Sequence, residues 1–193
     1  MLVNLEDLGL LWYNDTLELI MPSNKVTSAG NQQERLKIMG WITGFVDGEG
    51  CFSVSIFRNP KAKTKLGWQV FCEFVVSQGE KSRKSLELIK KYFNCGHIIM
   101  NTRKDNHHEN MLKYCVRSVR ELKEKIIPFF ERHPLRTYKQ KDFRIFKKIV
   151  NIVSKKGHLS ERGMIKIARL ISLMNRRKYP KFLESSETKR QLA

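Results

Sequence analysis

The segment most informative about the fold of this chain is Gly40-Trp41-Ile42-Thr43-Gly44-Phe45-Val46-Asp47-Gly48-Glu49-Gly50. The apolar residues between positions 33 and 46 are spaced as on a helix. Gly40, Gly44 and Gly48 lie four residues apart, so one stripe of that helix has no side chains, which costs about 1 kcal/mol per interior glycine relative to alanine. Small residues at this spacing let a second backbone approach closely. The stripe therefore predicts an interface with a second helix.

The predicted end of this helix carries two acids, Asp47 and Glu49. The helix macrodipole is negative there, and a basic residue would be favoured by about 0.3–1 kcal/mol. Two interpretations stay open. The tetrapeptide from Asp47 to Gly50 is either a polar turn that leads into a strand, or a cation site. Hard oxygen ligands with an open coordination position suit Mg²⁺ acting on a phosphodiester.

Residues downstream of this segment alternate as strands and repeat one pattern. The expected elements, in order, are a helix at 33–46, strands at 51–57 and 68–78, a helix at 83–93, strands at 97–102 and 112–117, and helices at 119–127, 138–153 and 161–174. This order predicts an α+β fold of the type αββαββα with two more helices. Its concave, four-stranded antiparallel sheet would pack one face on the helices and leave the other face open.

The charge balance points to a polyanionic partner. The chain has 193 residues, and 37 Lys+Arg against 19 Asp+Glu give a formal net charge of +18, which makes nucleic acid the first partner to test. No apolar run is long enough to span a membrane and no signal peptide is evident, so we expect a soluble protein that is not secreted and has no membrane partner. The four cysteines form no CxxC pair and are expected to be small buried residues rather than disulfides or zinc ligands.

The first 33 residues differ from the rest in charge. They hold one basic residue, Lys25, and four acids. We therefore expect a leader or extension at 1–33 that is poorly ordered, a domain at 34–178 and a basic tail at 179–193.

The segment from Ile42 to Gly50 resembles the nine-residue signature of the LAGLIDADG homing endonucleases, with glycine, aspartate, a second acid and glycine in the same order. The strand that follows it, the second αββ unit and the run 134–143, which is similar to the family segment that carries an active-site lysine, extend the resemblance over about residues 36–175. The resemblance implies an intron-encoded endonuclease that makes Mg²⁺-dependent (or Mn²⁺-dependent) double-strand breaks in DNA and promotes the mobility of its host intron.

The resemblance also implies site residues. Glu49 matches the metal-binding acid, with the Gly48 carbonyl facing the metal, and Asp47 matches the acid that ends the helix and supports this site. Gln78 matches a residue that positions water, although a strand-end cap is its alternative. Lys139 matches the lysine that assists charge development at the scissile phosphate, although a solvated helix charge is its alternative. A further basic residue of the family falls near Ser82 or Arg83, and the sequence leaves the choice open.

The open face of the sheet is then the surface expected to lie along the DNA major groove. Its residues on the first two strands are Ser53, Ser55, Phe57, Gln69, Phe71, Glu73 and Val75, with Arg58, Lys61, Lys63 and Lys65 beside them in the loop. The three apolar members are open to two interpretations, contact with thymine methyl groups or partial burial. Arg83 and the second-unit residues Asn101, Arg103, Lys104, Lys113 and Arg117 extend this surface.

The signature occurs once, whereas each cleavage centre of the family needs two signature helices side by side. The resemblance therefore implies a homodimer that meets along Gly40, Gly44 and Gly48, and a long pseudo-palindromic target. Two other functions stay open, an RNA maturase that binds intron RNA and a structural RNA-binding protein. The acids at 47 and 49 favour the nuclease, because a pure binder does not need carboxylates that face phosphate. The resemblance leaves chloroplast, mitochondrion and bacterial cytoplasm open.

Overall fold

A computed structural model describes residues 29–60, 67–101 and 110–174, together with Phe182. The chain divides into two compact units, residues 1–42 and 43–193. The described part of the first unit is the amino-terminal part of helix α1. The elements in chain order are α1 (Ala29–Glu49), β1 (Gly50–Arg58), β2 (Trp68–Gly79), α2 (Arg83–Phe93), β3 (His97–Asn101), β4 (Met111–Val116), α3 (Val119–Glu121), α4 (Ile127–Arg132), α5 (Lys139–Ser154) and α6 (Glu161–Ile171).

The four strands form one antiparallel sheet in the order β1-β2-β4-β3. Phe52 pairs with Phe74, and Phe74 pairs in turn with Val116, so the two strands at the centre are β2 and β4. The predicted fold class and the αββαββα order are confirmed, and so is the pair of additional helices that follows.

Even-numbered residues of β1 and β2 face the helices and build the core. The Phe52 ring lies 5.2 Å from the Phe74 ring, 5.2 Å from Phe143 and 5.4 Å from both Phe130 and Phe146, measured between centroids. All five side chains are buried. Burying aromatic side chains of this size stabilises the fold, since truncating one typically costs about 3–5 kcal/mol.

The helix α1 differs from its prediction at both ends. It begins at Ala29 instead of residue 33 and continues through Asp47 and Gly48 to Glu49, so the predicted stop at Asp47 is wrong. The chain enters β1 at Gly50, where a Cβ would lie 2.6 Å from Val46 Cγ1 and 2.7 Å from the Val46 carbonyl oxygen. A side chain at this position would clash, so glycine is required at the junction.

The helix after β4 also runs further than the prediction, which placed its end near Ile127. A π-helical segment, Leu122–Ile126, connects α3 to α4, and α4 continues to Arg132. Pro128 lies in the first turn of α4. A proline inside a helix has no N–H and clashes with the carbonyl four residues earlier, and the wider π turn before it accommodates this residue.

Three of the four cysteines are buried as expected, whereas Cys51 is exposed. Cys51 pairs with Val75 on the open face, and its odd position in β1 turns it away from the helices. None of the helices in the described ranges is long and apolar enough to cross a membrane. Most of the expected leader and the whole stretch 183–193 of the expected tail lie outside the described residues.

Candidate functional site

The carboxyl end of α1 is bound by a lysine from another helix. Lys139 Nζ donates to three consecutive carbonyl oxygens, those of Val46 at 2.9 Å, Asp47 at 2.9 Å and Gly48 at 3.1 Å. The last carbonyls of a helix have no intrahelical donor, and their end of the macrodipole is negative. The Lys139 ammonium group donates to these carbonyls and places a positive charge at the negative end of the macrodipole. This contact explains why α1 extends through two acids and a glycine.

Asp47 makes the opposite contact at the start of α5. Its carboxylate accepts from the backbone N–H of Arg136 at 2.7 Å, from the backbone N–H of Thr137 at 3.1 Å and from Thr137 Oγ1 at 2.5 Å. Thr137 Oγ1 also accepts from the backbone N–H of Lys139 at 3.3 Å. The carboxylate therefore fixes the turn that precedes α5, and this turn determines where Lys139 lies.

Burial and charge shift the pKa of both partners. Burial acts to raise the pKa of Asp47, but the hydrogen bonds from Thr137 and Arg136 and the charge of Lys139 outweigh it and hold this pKa below its usual value. For Lys139, burial lowers the pKa, and the negative charges of Asp47 and Glu49 only partly oppose it. Asp47 is therefore ionised in the folded protein at neutral pH.

Glu49, the last residue of α1, has a different environment although it lies only two residues further on. Its side chain is exposed and accepts no hydrogen bond within the described part of the chain. Its carboxylate and the exposed Gly48 carbonyl are hard oxygen donors of the kind that Mg²⁺ prefers. A carbonyl oxygen has two lone pairs, so the Gly48 carbonyl keeps acceptor capacity beside Lys139. These residues fit a divalent cation.

One chain supplies only part of a coordination sphere. The described residues contain no group of three or more His, Cys, Asp or Glu side chains that could hold a metal ion. Glu49 and Gly48 would contribute two oxygen atoms where Mg²⁺ takes six ligands. The remaining ligands would come from water, phosphate or a second copy of the same helix end.

Gln78 lies at the end of β2 that is next to this helix end. Gly50, which directly follows α1, pairs with Val76 of β2, and Gln78 lies two residues after Val76 on the same strand. It is half-buried, and its side chain makes no hydrogen bond to any other described residue. Of the two candidates for the further basic residue, Ser82 closes a short 3₁₀ turn, and Arg83 forms an ion pair with Glu80 at 3.7 Å between Nη2 and Oε1.

The open face contains the odd-numbered residues of β1 and β2, as the alternation predicted. Ser55, Phe57, Arg58 and Gln69 are exposed, whereas Ser53, Phe71, Glu73, Val75 and Lys113 are half-buried. Phe57 is 42% exposed, whereas Phe71 and Val75 are half-buried, and contact with thymine methyl groups stays a prediction for all three. Asn101 and Arg117 are exposed, and Lys61, Lys63, Lys65, Arg103 and Lys104 lie outside the described residues.

Two contacts on this face were not predicted. Asn59 Nδ2 donates to Gln69 Oε1 at 2.8 Å, and Arg117 Nε donates to Glu73 Oε1 at 2.5 Å. Each joins a residue of β2 to a residue that directly follows another strand, Asn59 after β1 and Arg117 after β4. The alternation of the sequence assigns residues to a face but gives no register between β2 and β4, so no local signal could have paired Glu73 with Arg117.

The glycine stripe is open. A Cβ built at Gly40, at Gly44 or at Gly48 would meet no heavy atom of the described residues within 4 Å, apart from the neighbouring turns of its own helix. Two apolar residues of the same helix, Leu36 at 57% and Trp41 at 38%, are exposed. This helix therefore carries apolar and small residues on its surface that the described residues do not cover.

The chain matches the family described as LAGLIDADG endonuclease over residues 42–150, more than half of its length. It belongs to this family. The matched region contains the whole of the Asp47–Lys139 contact, the four strands and the aromatic core, so the LAGLIDADG signature and the residues that hold its end lie inside the match.

Relatives and solved structures agree with this assignment. "Probable intron-encoded endonuclease 2" of Neurospora crassa is 38% identical over 129 residues, which is 66% of this chain and 27% of the relative. The homing endonuclease I-TnaI has a TM-score of 0.66 at 34% identity, covering 80% of this chain and 97% of that chain. I-SmaMI, bound to an uncleaved DNA target in the presence of calcium ions, has a TM-score of 0.66 at 31% identity, covering 80% of this chain and 48% of that chain. The chain thus spans about a quarter of the length of the curated relative it matches.

Proposed function

We propose that this chain is a homing endonuclease, which makes double-strand breaks at a long, pseudo-palindromic DNA site and promotes the mobility of its host intron. The observation that carries the proposal is the helix end itself. An exposed carboxylate, Glu49, lies beside an ammonium group, Lys139, at the point where α1 meets the sheet. A general phosphate-binding surface has no use for that carboxylate, because it would repel the ligand.

Each side chain at this end has its own proposed role. Glu49 and the Gly48 carbonyl would hold Mg²⁺, which supplies a Lewis acid at the phosphodiester. Lys139 places positive charge where negative charge grows as the bond to the leaving oxygen breaks. Asp47 positions Lys139 through the turn at Arg136 and Thr137 and does not touch the substrate. Gln78 orients water with an amide that has no other described partner.

The choice of metal rests on the donor chemistry. Calcium ions accompany uncleaved DNA in the I-SmaMI structure, which supports a divalent cation in this family. Both Ca²⁺ and Mg²⁺ take oxygen ligands, and Mg²⁺ keeps several waters and few protein ligands. A site that offers one carboxylate and one carbonyl suits Mg²⁺, with Mn²⁺ as the closest substitute.

We propose that a second copy of the chain completes the cleavage centre as a homodimer along Gly40, Gly44 and Gly48. The open stripe and the single exposed carboxylate at each helix end, that of Glu49, support this arrangement. Gly44→Leu should shift sedimentation from dimer to monomer, because the new side chain would block the close approach of a second helix. Outside the neighbouring turns of the same helix, no heavy atom of another described residue lies within 4 Å of a Cβ at this position, so the single chain should tolerate the substitution. Glu87→Leu, on the exposed surface of α2, is the matched control. An undisturbed dimer in Gly44→Leu would place the interface elsewhere.

The test of the function uses a library of randomised duplex DNA. The full chain is incubated with and without Mg²⁺, and linear fragments with defined ends are sequenced. Recovery of one near-symmetric sequence, cut on both strands only with Mg²⁺, supports the proposal. A bound but uncut library, with both strands intact at every metal concentration, contradicts it.

A second candidate function, an RNA maturase, is favoured by one observation. The outward stripe of α5 carries Lys141, Arg144 and Lys148, and Lys155 directly follows the helix; all four are exposed. Like charges three or four residues apart destabilise a helix by a few tenths of a kcal/mol per pair. This stripe is opposite the aromatic residues that pack α5 on the sheet, so target DNA on the open face would not neutralise it. Loss of binding to structured intron RNA in the double variant Arg144→Gln, Lys148→Gln, but not in Arg58→Gln, would support this function.

We also propose the domain limits predicted from the sequence, with a leader or extension at 1–33, the endonuclease unit at 34–178 and a basic tail at 179–193, in which Phe182 is buried against Trp68. Removal of residues 1–33 should leave cleavage intact, and a loss of cleavage would assign that segment to the enzyme. We propose a chloroplast, a mitochondrion or the bacterial cytoplasm as the site of action, and the relatives include a protein of Neurospora crassa that is named as intron-encoded.

A further inference from the structure

The open face holds one ordered ion pair at its centre. Glu73 lies on β2, and Arg117 directly follows the last residue of β4, so the pair joins the two central strands. Because Phe74 pairs with Val116, the antiparallel register places Glu73 directly opposite Arg117. Arg117 Nε donates to Glu73 Oε1 at 2.5 Å. The guanidinium is therefore held from one side by a carboxylate on the neighbouring strand.

The aromatic ring of Phe71 contacts the same Arg117 guanidinium on another side. Arg117 Cζ lies 5.4 Å from the centroid of the Phe71 ring, two residues before Glu73 on the same face of β2. The Arg117 side chain is 42% exposed, whereas that of Glu73 is only 18% exposed. The long side chain thus loses rotamer freedom before any ligand binds, which lowers the entropy that a contact with DNA would otherwise cost.

The bond through Nε leaves the other nitrogen atoms available. The two terminal Nη groups carry four N–H donors, and neither has a hydrogen-bond partner among the residues that the structure describes. Two parallel N–H donors match the O6 and N7 acceptors that guanine presents in the major groove. Adenine, thymine and cytosine each offer at most one acceptor at this edge, so none of them accepts both donors.

The ion pair also argues against two other roles. The charge of Arg117 is already neutralised by Glu73, so this residue adds less to general phosphate attraction than a lone exposed arginine such as Arg58. Glu73 could in principle accept from the amino group of cytosine. However, its carboxylate is largely covered and its Oε1 is occupied by Arg117.

We propose that Arg117 reads a guanine at one position in each half-site of a duplex DNA target, and that Glu73 is its positioning residue rather than a reader of bases. This inference rests on the proposed function, in which the open face lies in the major groove. It assigns distinct tasks to two residues that the sequence could only place on the same surface.

The test is a binding selection of the full chain on randomised duplex DNA without Mg²⁺, so that cleavage does not contribute. Wild-type protein should prefer guanine at one position per half-site by on the order of 10-fold to 100-fold. Arg117→Lys keeps the charge but loses the planar fork, and should lower this preference about 10-fold at that position alone. Glu73→Ala should lower the same preference several-fold, because the guanidinium is released. Arg132→Lys is the matched control, because Arg132 is an exposed arginine at the end of α4 whose Nε also donates within the chain, and the base preferences should not change in this variant.

The outcomes separate this inference from the function on which it rests. If wild-type protein selects a defined site and Arg117→Lys retains every base preference, Arg117 is not a reader and the inference is wrong while the function stands. If Arg117→Lys weakens binding equally for all sequences, Arg117 is a phosphate contact, which also overturns the inference. If wild-type protein selects no sequence at all, the proposed function and this inference fail together.

Discussion

The end of α1 and the open face of the sheet are both rich in polar side chains, but they differ in how these side chains are bonded. At the helix end, Lys139 and Asp47 each bind several groups of the same chain. On the open face, Ser53 and Ser55 have no side-chain hydrogen bond to another described residue. Groups that take part in chemistry must be held in place before the substrate arrives. Groups that read a ligand keep donors or acceptors available for it, as Ser53 and Ser55 do and as the terminal nitrogen atoms of Arg117 do.

The largest expected effect concerns Lys139. Lys139→Met removes the ammonium group but keeps most of the side-chain volume, so cleavage should fall by about 10²–10³-fold, as for the loss of one preorganised charge-stabilising group. Lys148→Met, on the outward stripe of α5, should change cleavage less than threefold. Rates are measured on the selected DNA site under single-turnover conditions. Equal losses in both variants would remove the distinction between the helix end and an ordinary basic surface.

Asp47→Ala tests whether the hydrogen bonds between Asp47 and the turn before α5 stabilise the folded protein. The substitution leaves the backbone N–H groups of Arg136 and Thr137 without their acceptor, and the free energy of unfolding should fall by about 1–2 kcal/mol. Urea denaturation gives this value, with Glu49→Ala as the matched control, two residues away. If both variants lose the same stability, Asp47 does not anchor the turn before α5.

The contribution of Asp47 should depend on pH in a defined direction. The pKa of this carboxyl is lowered in the folded state, while the unfolded chain has the ordinary value of about 3.9. The unfolded state therefore takes up its proton first as the pH falls. The stability that wild-type protein holds over Asp47→Asn should be complete above about pH 5 and shrink as the pH falls below about 4. A difference in urea midpoint that stays constant from pH 6 to pH 3 would contradict this assignment.

The smallest effect is expected on the open face. Ser55 is exposed and makes no side-chain hydrogen bond to a described residue, so Ser55→Ala should change the free energy of unfolding by less than about 0.5 kcal/mol. Any effect should appear in the base preference at one position of the target. A loss of stability comparable with that of Asp47→Ala would mean that this face is structural.

Much of the fold was predictable because its signals are local. The alternation in β1 and β2 assigned Phe52 and Phe74 to the core, and the predicted limits of α2 agree with the structure. The end of α1 was not predictable, because the lysine that binds its carbonyls lies more than 90 residues later in the chain. The sequence left a cation at this helix end as one of two interpretations, and the resemblance assigned Lys139 to phosphate and not to these carbonyls.

The site itself was predictable only as a set of residues. The resemblance to the LAGLIDADG signature named Asp47, Gly48, Glu49 and Lys139, and the structure brings these four together at one end of α1. The resemblance did not show that Thr137 and the backbone of Arg136 hold Asp47. Such contacts depend on backbone groups, which every residue carries, so the sequence gives no signal for them.

The most direct test of this account compares binding and cleavage in Glu49→Gln. The side chain is exposed and has no described partner, so the variant should fold, dimerise and bind the selected DNA site with an affinity close to that of wild type. Mutating a residue that only hydrogen-bonds to a metal ligand typically lowers activity about 10–100-fold. Because Glu49 is proposed to bind the metal directly, the Mg²⁺-dependent cleavage rate of Glu49→Gln should fall by more than this. Glu87→Gln is the control. Cleavage at the wild-type rate in Glu49→Gln would contradict the assignment of the end of α1 as the catalytic site.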